Sequence, residues 1–208
     1  MTPRILSTSS IKNQLRLLGL LFLFIEGKAT SQDTLYPTVN ASWNCWSGTI
    51  TNAALCNEDD SDVEVIIQTS VEYTVGAANV WNMLLSRYDT TDLHILWDLS
   101  PTYSGANETD IVYQTRADVP AGLLGITWCD DAISTRRCDQ HYVAFRTNVP
   151  GWDLACHETG HAVGLVHGTQ SWPALIDNAA LLECMRNPLA PGVSTVGAVN
   201  IGNINGFY

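Results

Sequence analysis

Beyond residue 28 the chain has no lysine; its two lysines are Lys12 and Lys28, and every later basic residue is arginine. Charge of either sign is sparse, at 15% of 208 residues, and the formal net charge is −11. Residues 1–31 hold four basic residues and one acidic residue, so the remainder sets 6 arginines against 20 acidic residues, a net charge of −14. So acidic a surface repels nucleic acid and anionic lipid, and neither is expected as a partner. Long apolar runs are also missing. The longest, from Leu17 to Ile25, spans nine residues, too short to cross a bilayer. No internal repeat or long low-complexity tract occurs, which excludes solenoid and collagen-like architectures.

The short apolar run has a neighbourhood of its own. Arg4, Lys12 and Arg16 precede it, and Gly27, Ala29 and Ser31 follow it. A basic start, a short apolar centre and a small-x-small site read as a signal peptide over residues 1–31, so a secreted, extracellular protein is expected. Six cysteines in an exported chain point to three disulfides, although six allow about fifteen pairings. Proximity in sequence favours Cys45–Cys56 and Cys129–Cys138, which leaves Cys156 and Cys184. Asn40-Ala41-Ser42 and Asn107-Glu108-Thr109 are glycosylation sequons for a host that uses them.

Residues 32–61 are polar and turn-rich, and read as an N-terminal extension or short pro-segment. From residue 62 the pattern becomes regular, and 62–208 reads as one domain. Strands are predicted over 63–69, 93–98, 110–115, 122–129 and 141–146. Apolar residues at helical spacing predict a helix over 71–88 and a second over 154 to about 164, with Asp153 as its N-cap. Shorter helices are expected over 178–184 and 196–208. Strand, helix, four strands, helix is an α+β order.

The decisive stretch is Cys156-His157-Glu158-Thr159-Gly160-His161-Ala162-Val163-Gly164-Leu165-Val166-His167. Residues four apart share a helix face, so His157 and His161 can present two imidazoles to one point. Neutral imidazole nitrogen suits zinc. Glu158, beside the first histidine, can lie near the metal without ligating it and take a proton from a zinc-bound water. Gly164 can end the helix in a left-handed conformation and turn the chain so that His167 returns as third ligand. Three protein ligands leave a fourth position open, the catalytic rather than structural arrangement. With 5 His, 7 Glu and 15 Gly in the chain, five fixed positions match by chance with a frequency of roughly 10⁻⁵. His94 and His141 fall on predicted strands outside the motif and read as ordinary core or surface histidines.

At these residues the chain resembles the metzincin clan of zinc endopeptidases, with the motif HExxHxxGxxH and a later methionine turn. Cys184-Met185-Arg186 would be that turn, eighteen residues after His167. The likeness is greatest to small secreted matrixin-like proteins, over residues 62–208. It implies a twisted five-stranded mixed sheet, two main helices, one catalytic Zn2+, and Met185 packed beneath the metal. It also implies a Cys156–Cys184 disulfide, in place of either cysteine as a zinc ligand. Strand residues Gly122, Leu123, Leu124 and Gly125 would rim the cleft and bind an extended polypeptide by β-augmentation, and Asn187 to Pro191 would wall a side-chain pocket. Two departures stand out: Asn187 replaces a tyrosine that astacin- and serralysin-type relatives use, and no thiol-switch prodomain is recognisable. Calcium, common among matrixins, has no assignable site, though Asp130, Asp131 and Asp139 could supply one. A monomeric endopeptidase is expected; the alternative is a catalytically inactive module that binds peptide in the same cleft.

Overall fold

The computed structural model describes residues 31–105 and 107–208. The stretch read as a signal peptide lies, but for Ser31, outside the described residues. Gln32–Tyr208 forms one compact unit.

The fold is mixed α/β with a mostly parallel sheet. Its strands are β1 (Asn57–Glu58), β2 (Asp62–Ile67), β3 (His94–Trp97), β4 (Ile111–Thr115), β5 (Gly125–Ala132) and β6 (Arg137–Phe145). Helix α1 (Gly76–Arg87) joins β2 to β3, α2 (Trp152–Ala162) follows β6, and α3 (Ala198–Phe207) ends the chain. Two 3-10 turns, Gly168–Gln170 and Ala180–Met185, lie between α2 and α3. β2, β3, β4 and β6 run parallel, with β2 between β3 and β4 and β4 beside β6. β5 is antiparallel to β6. β6 pairs with β4 through His141–Phe145 and with β1 through Arg137–Cys138, so β1 continues the line of β4.

Six strands stand where five were expected. The sixth, β1, is too short to carry a periodic signal, and it comes from the segment read as an extension. That segment is built into the unit. Asp33 and Leu35 form antiparallel bridges with Trp172 and Leu165, Tyr36 N–H donates to Gly164 O at 2.8 Å, and Val166 N–H donates to Thr34 O at 2.9 Å. Residues 33–36 thus lie as a strap along the chain that follows α2.

Element ends moved for local reasons. α1 starts at Gly76 instead of residue 71, because the Glu72 carboxylate accepts the Val75 and Gly76 N–H groups and holds a turn ahead of the helix. The N-cap of α2 is Gly151, not Asp153; Asp153 sits in the first turn, where its charge favours the helix dipole. β5 begins at Gly125, since Gly122 has φ +93° and Leu123 N–H closes a turn onto Pro120 O.

Val63, Val65 and Ile67 alternate inward from β2 and meet Val80, Met83, Leu84 and Tyr88 of α1 and Leu154 and Ala155 of α2 in one core. Each such aliphatic side chain contributes about 1.5–3 kcal/mol on burial. All three disulfides form as expected: Cys45–Cys56, Cys129–Cys138 and Cys156–Cys184. Among the described residues no helix is long and apolar enough to cross a membrane. Asn40 and Asn107 are both exposed.

His141 is fully buried, and its Nδ1 lies 2.8 Å from Glu58 Oε1 on β1. His94 is exposed, 3.5 Å from Asp62. Asp110, just before β4, accepts the Glu64 N–H. Burial, then repulsion from Glu58, pushes its carboxyl up to about 9. A carboxyl raised on folding costs no stability below the unfolded value, an amount that grows as pH rises from about 4 to about 9, and the full amount above that. Asp110→Asn keeps an acceptor oxygen and removes the titration. It is expected to raise Tm at pH 8 by about 3 °C, the equivalent of about 1 kcal/mol, with the gain vanishing near pH 4. An equal change at both pH values in a calorimetric series would contradict this.

Candidate metal centre

α2 is buried along almost its whole length, and its last turn brings His157 and His161 onto one side. The helix ends where Leu165 N–H donates to Gly160 O at 2.7 Å and Gly164 takes φ +91°. That reversal carries His167 back to the other two. His167 Nε2 lies 3.1 Å from His161 Nε2 and 3.3 Å from His157 Nε2. Three nitrogens around a tetrahedral zinc at about 2.0–2.1 Å would stand about 3.3 Å apart.

The outer nitrogens explain which tautomers face inward. His157 Nδ1 lies 2.7 Å from Cys184 O, and His161 Nδ1 lies 2.9 Å from Leu165 O. A carbonyl only accepts, so each Nδ1 donates, and each Nε2 presents a lone pair. Burial, with the neighbouring imidazole next, pushes His157 down to about 4, and His161 is held well below its usual range for the same reasons. His167 is lowered by burial as well. Two lone pairs therefore converge on the third imidazole, and the donor set fits a cation that accepts nitrogen.

Glu158 is 5% exposed and stands next to this group. Its Oε2 accepts the Thr127 hydroxyl at 2.9 Å, and the same hydroxyl lies 2.8 Å from Glu158 O. Burial pushes the carboxyl up to about 7, and the Thr127 hydroxyl opposes the rise. Gly125 lies against it: a Cβ there would sit 2.7 Å from Glu158 Oε1.

Met185 is fully buried beneath α2, where a Cβ on Gly160 would overlap its Sδ. The Cys156–Cys184 bridge joins the residue before His157 to the residue whose carbonyl orients His157. A cleft of about 440 Å³ opens over the histidines and Glu158. Gly122, Leu123, Leu124 and Gly125 all line it, but only Gly125 belongs to β5; the first three form the turn ahead of it. Among the described strands β5 pairs only with β6; on its other edge the Gly48 N–H donates to Cys129 O at 2.8 Å, so that edge is open ahead of Cys129. Of the expected wall from Asn187 to Pro191, Asn187, Pro188 and Leu189 line the cleft and Ala190 and Pro191 do not; Leu154, Gln170 and Leu55, which the sequence did not single out, line it too. Carboxylates of Asp131 and Asp139 approach each other and Glu108 within 4.8 Å, while Asp130 stays outside that group. No family model and no curated protein matches this chain.

Gly164 is tested by contrast with Gly192. Both have positive φ, but a Cβ on Gly164 would overlap Asn57 Oδ1, whereas one on Gly192 meets nothing within 4 Å. Gly164→Ala is expected to cost about 2–4 kcal/mol, or roughly 5–10 °C in Tm, from left-handed strain plus overpacking. Gly192→Ala should show only the strain. Equal losses in thermal melts would show that the Asn57 contact is unimportant.

Proposed function

We propose that this protein is a secreted zinc-dependent endopeptidase of the metzincin type, with zinc on His157, His161 and His167. The observation that carries the reading is the pair of inward lone pairs, fixed by carbonyls of Cys184 and Leu165, with Glu158 buried beside them. Zinc bound there would polarise a peptide carbonyl and acidify water. The chain's own residues supply the rest. The edge of β5 from Gly125 up to Cys129 can pair with the main chain of an extended substrate. Leu154, Pro188 and Leu189 line the cleft and offer apolar surface to a substrate side chain.

Glu158 takes a proton from the attacking water and passes it to the leaving amine. Its carboxyl near 7 suits both halves of that transfer at neutral pH. Thr127 keeps the carboxylate turned toward the cleft, and Gly125 leaves room for it. Met185 and the Cys156–Cys184 bridge hold the floor under α2, so the histidines stay aligned while substrate exchanges. Three disulfides and the expected leader are consistent with work outside the cell.

Glu158→Ala separates chemistry from metal binding. The variant is expected to retain one zinc per chain and to lose about 10²–10⁴-fold in the rate of cleavage of a denatured protein. A chelator should abolish wild-type cleavage and added zinc restore it. Cleavage at the wild-type rate by the alanine variant would remove Glu158 from its role. A wild-type chain that binds zinc and peptide but never cleaves would favour the binding-module alternative.

A further inference from the structure

We propose that Glu58, Asp59 and Asp110 form a binding site for one divalent cation of the calcium class, which pins the end of β1 to the start of β4. The sheet itself assembles the site. β1 and β4 both run parallel to β6, β1 beside Arg137–Cys138 and β4 beside His141–Phe145. The C-terminal end of β1 therefore meets the N-terminal end of β4, with only Asp139 and Gln140 of β6 between their pairings. Glu58 ends β1, Asp59 follows it, and Asp110 stands just ahead of β4. Carboxylate oxygens of the three lie within 4.8 Å of one another. Oxygens bound to one calcium ion at about 2.3–2.6 Å stand no more than about 5 Å apart.

Acidic clusters are common on a chain this negative; the burial of Glu58 sets this one apart. Glu58 is 1% exposed. Its Oε1 lies 2.8 Å from His141 Nδ1, while Oε2, equally buried, has no hydrogen-bond partner among the described residues. A buried carboxylate oxygen without a partner is strongly disfavoured. Neither Asp59 nor Asp110 shares a proton with it, since neither hydrogen-bonds it. A cation between the three carboxylates gives Oε2 the partner it lacks.

The chain's own cations do not supply that charge. Burial holds His141 down to about 3, so its ring is neutral. Arg137 reaches the main-chain Glu58 O at 3.4 Å, not the carboxylate, and among the described residues no arginine makes an ion pair with any of the three. Burial first, then repulsion from neighbouring carboxylates, raises all three carboxyls. Asp59 and Asp110 are half-buried, which leaves the site open to solvent on their side. A ligand set of oxygens alone suits a hard cation, in contrast to the imidazoles on α2.

The test titrates calcium chloride into zinc-loaded full chain freed of calcium, read by calorimetric binding and by Tm, for wild type, Asp59→Asn, Asp110→Asn and Asp131→Asn. Asp131 belongs to a separate acidic group with Glu108 and Asp139 and serves as the control. Wild type is expected to bind calcium and to gain about 5 °C in Tm at a concentration about a hundredfold above Kd. Asp59→Asn and Asp110→Asn should each weaken binding at least about tenfold, and Asp131→Asn should leave it unchanged. At pH 8 Asp110→Asn should melt above wild type without calcium and below it with calcium. A wild type that neither binds calcium nor changes its Tm overturns the proposal. So does wild-type affinity in both Asp59→Asn and Asp110→Asn, which would place the ion elsewhere.

Discussion

Lone pairs on buried neutral imidazoles repel one another, yet His157 and His161 both turn theirs toward His167, at 3.3 and 3.1 Å. The elements packed around α2 hold that cluster together. Two backbone carbonyls fix the ring tautomers from outside. Each carbonyl comes from a segment that is itself restrained. Cys184 is bridged to Cys156, and Leu165 is paired with Leu35 in the strap. Such outer contacts set how well a metal site is preorganised, because a ligand free to rotate loses entropy on binding.

The same logic accounts for the glycines. Gly164 lets the chain reverse, Gly160 lets Met185 lie against α2, and Gly125 lets the sheet edge touch Glu158. Each brings backbone close to a side chain from elsewhere in the chain, Asn57, Met185 and Glu158 in turn. The N-terminal segment completes the frame. Its strap lies along residues 164–166, its β1 extends the sheet through the buried Glu58–His141 pair, and its bridged loop reaches the cleft.

Much of this was legible in the sequence where the signal is local and periodic. The spacing of His157, His161 and His167 on either side of Gly164 is enough to bring the three imidazoles together, because helix geometry and one left-handed residue suffice to do so. Strands β2, β3, β4 and β6 stood out through β-branched and aromatic runs. What was missed depends on contacts between distant residues. Thr127 meets Glu158 across 31 positions, and nothing near either residue announces it. Residues 32–61 read as an extension because their distant pairing partners lie 80 to 139 residues on (Asn57 with Arg137, Asp33 with Trp172), and their polar, turn-rich composition hides the β1 pairing. The edge strand was begun three residues early, since Gly122-Leu123-Leu124 is apolar enough for a strand but is folded into a turn.

X-ray absorption at the zinc edge, on protein purified without added metal and then given one equivalent of zinc, reads the inner shell directly. The cage proposed here predicts three imidazole nitrogens and one further light atom at about 2.0–2.1 Å, with no sulfur. A sulfur shell at about 2.3 Å, or fewer than three imidazoles, would contradict it.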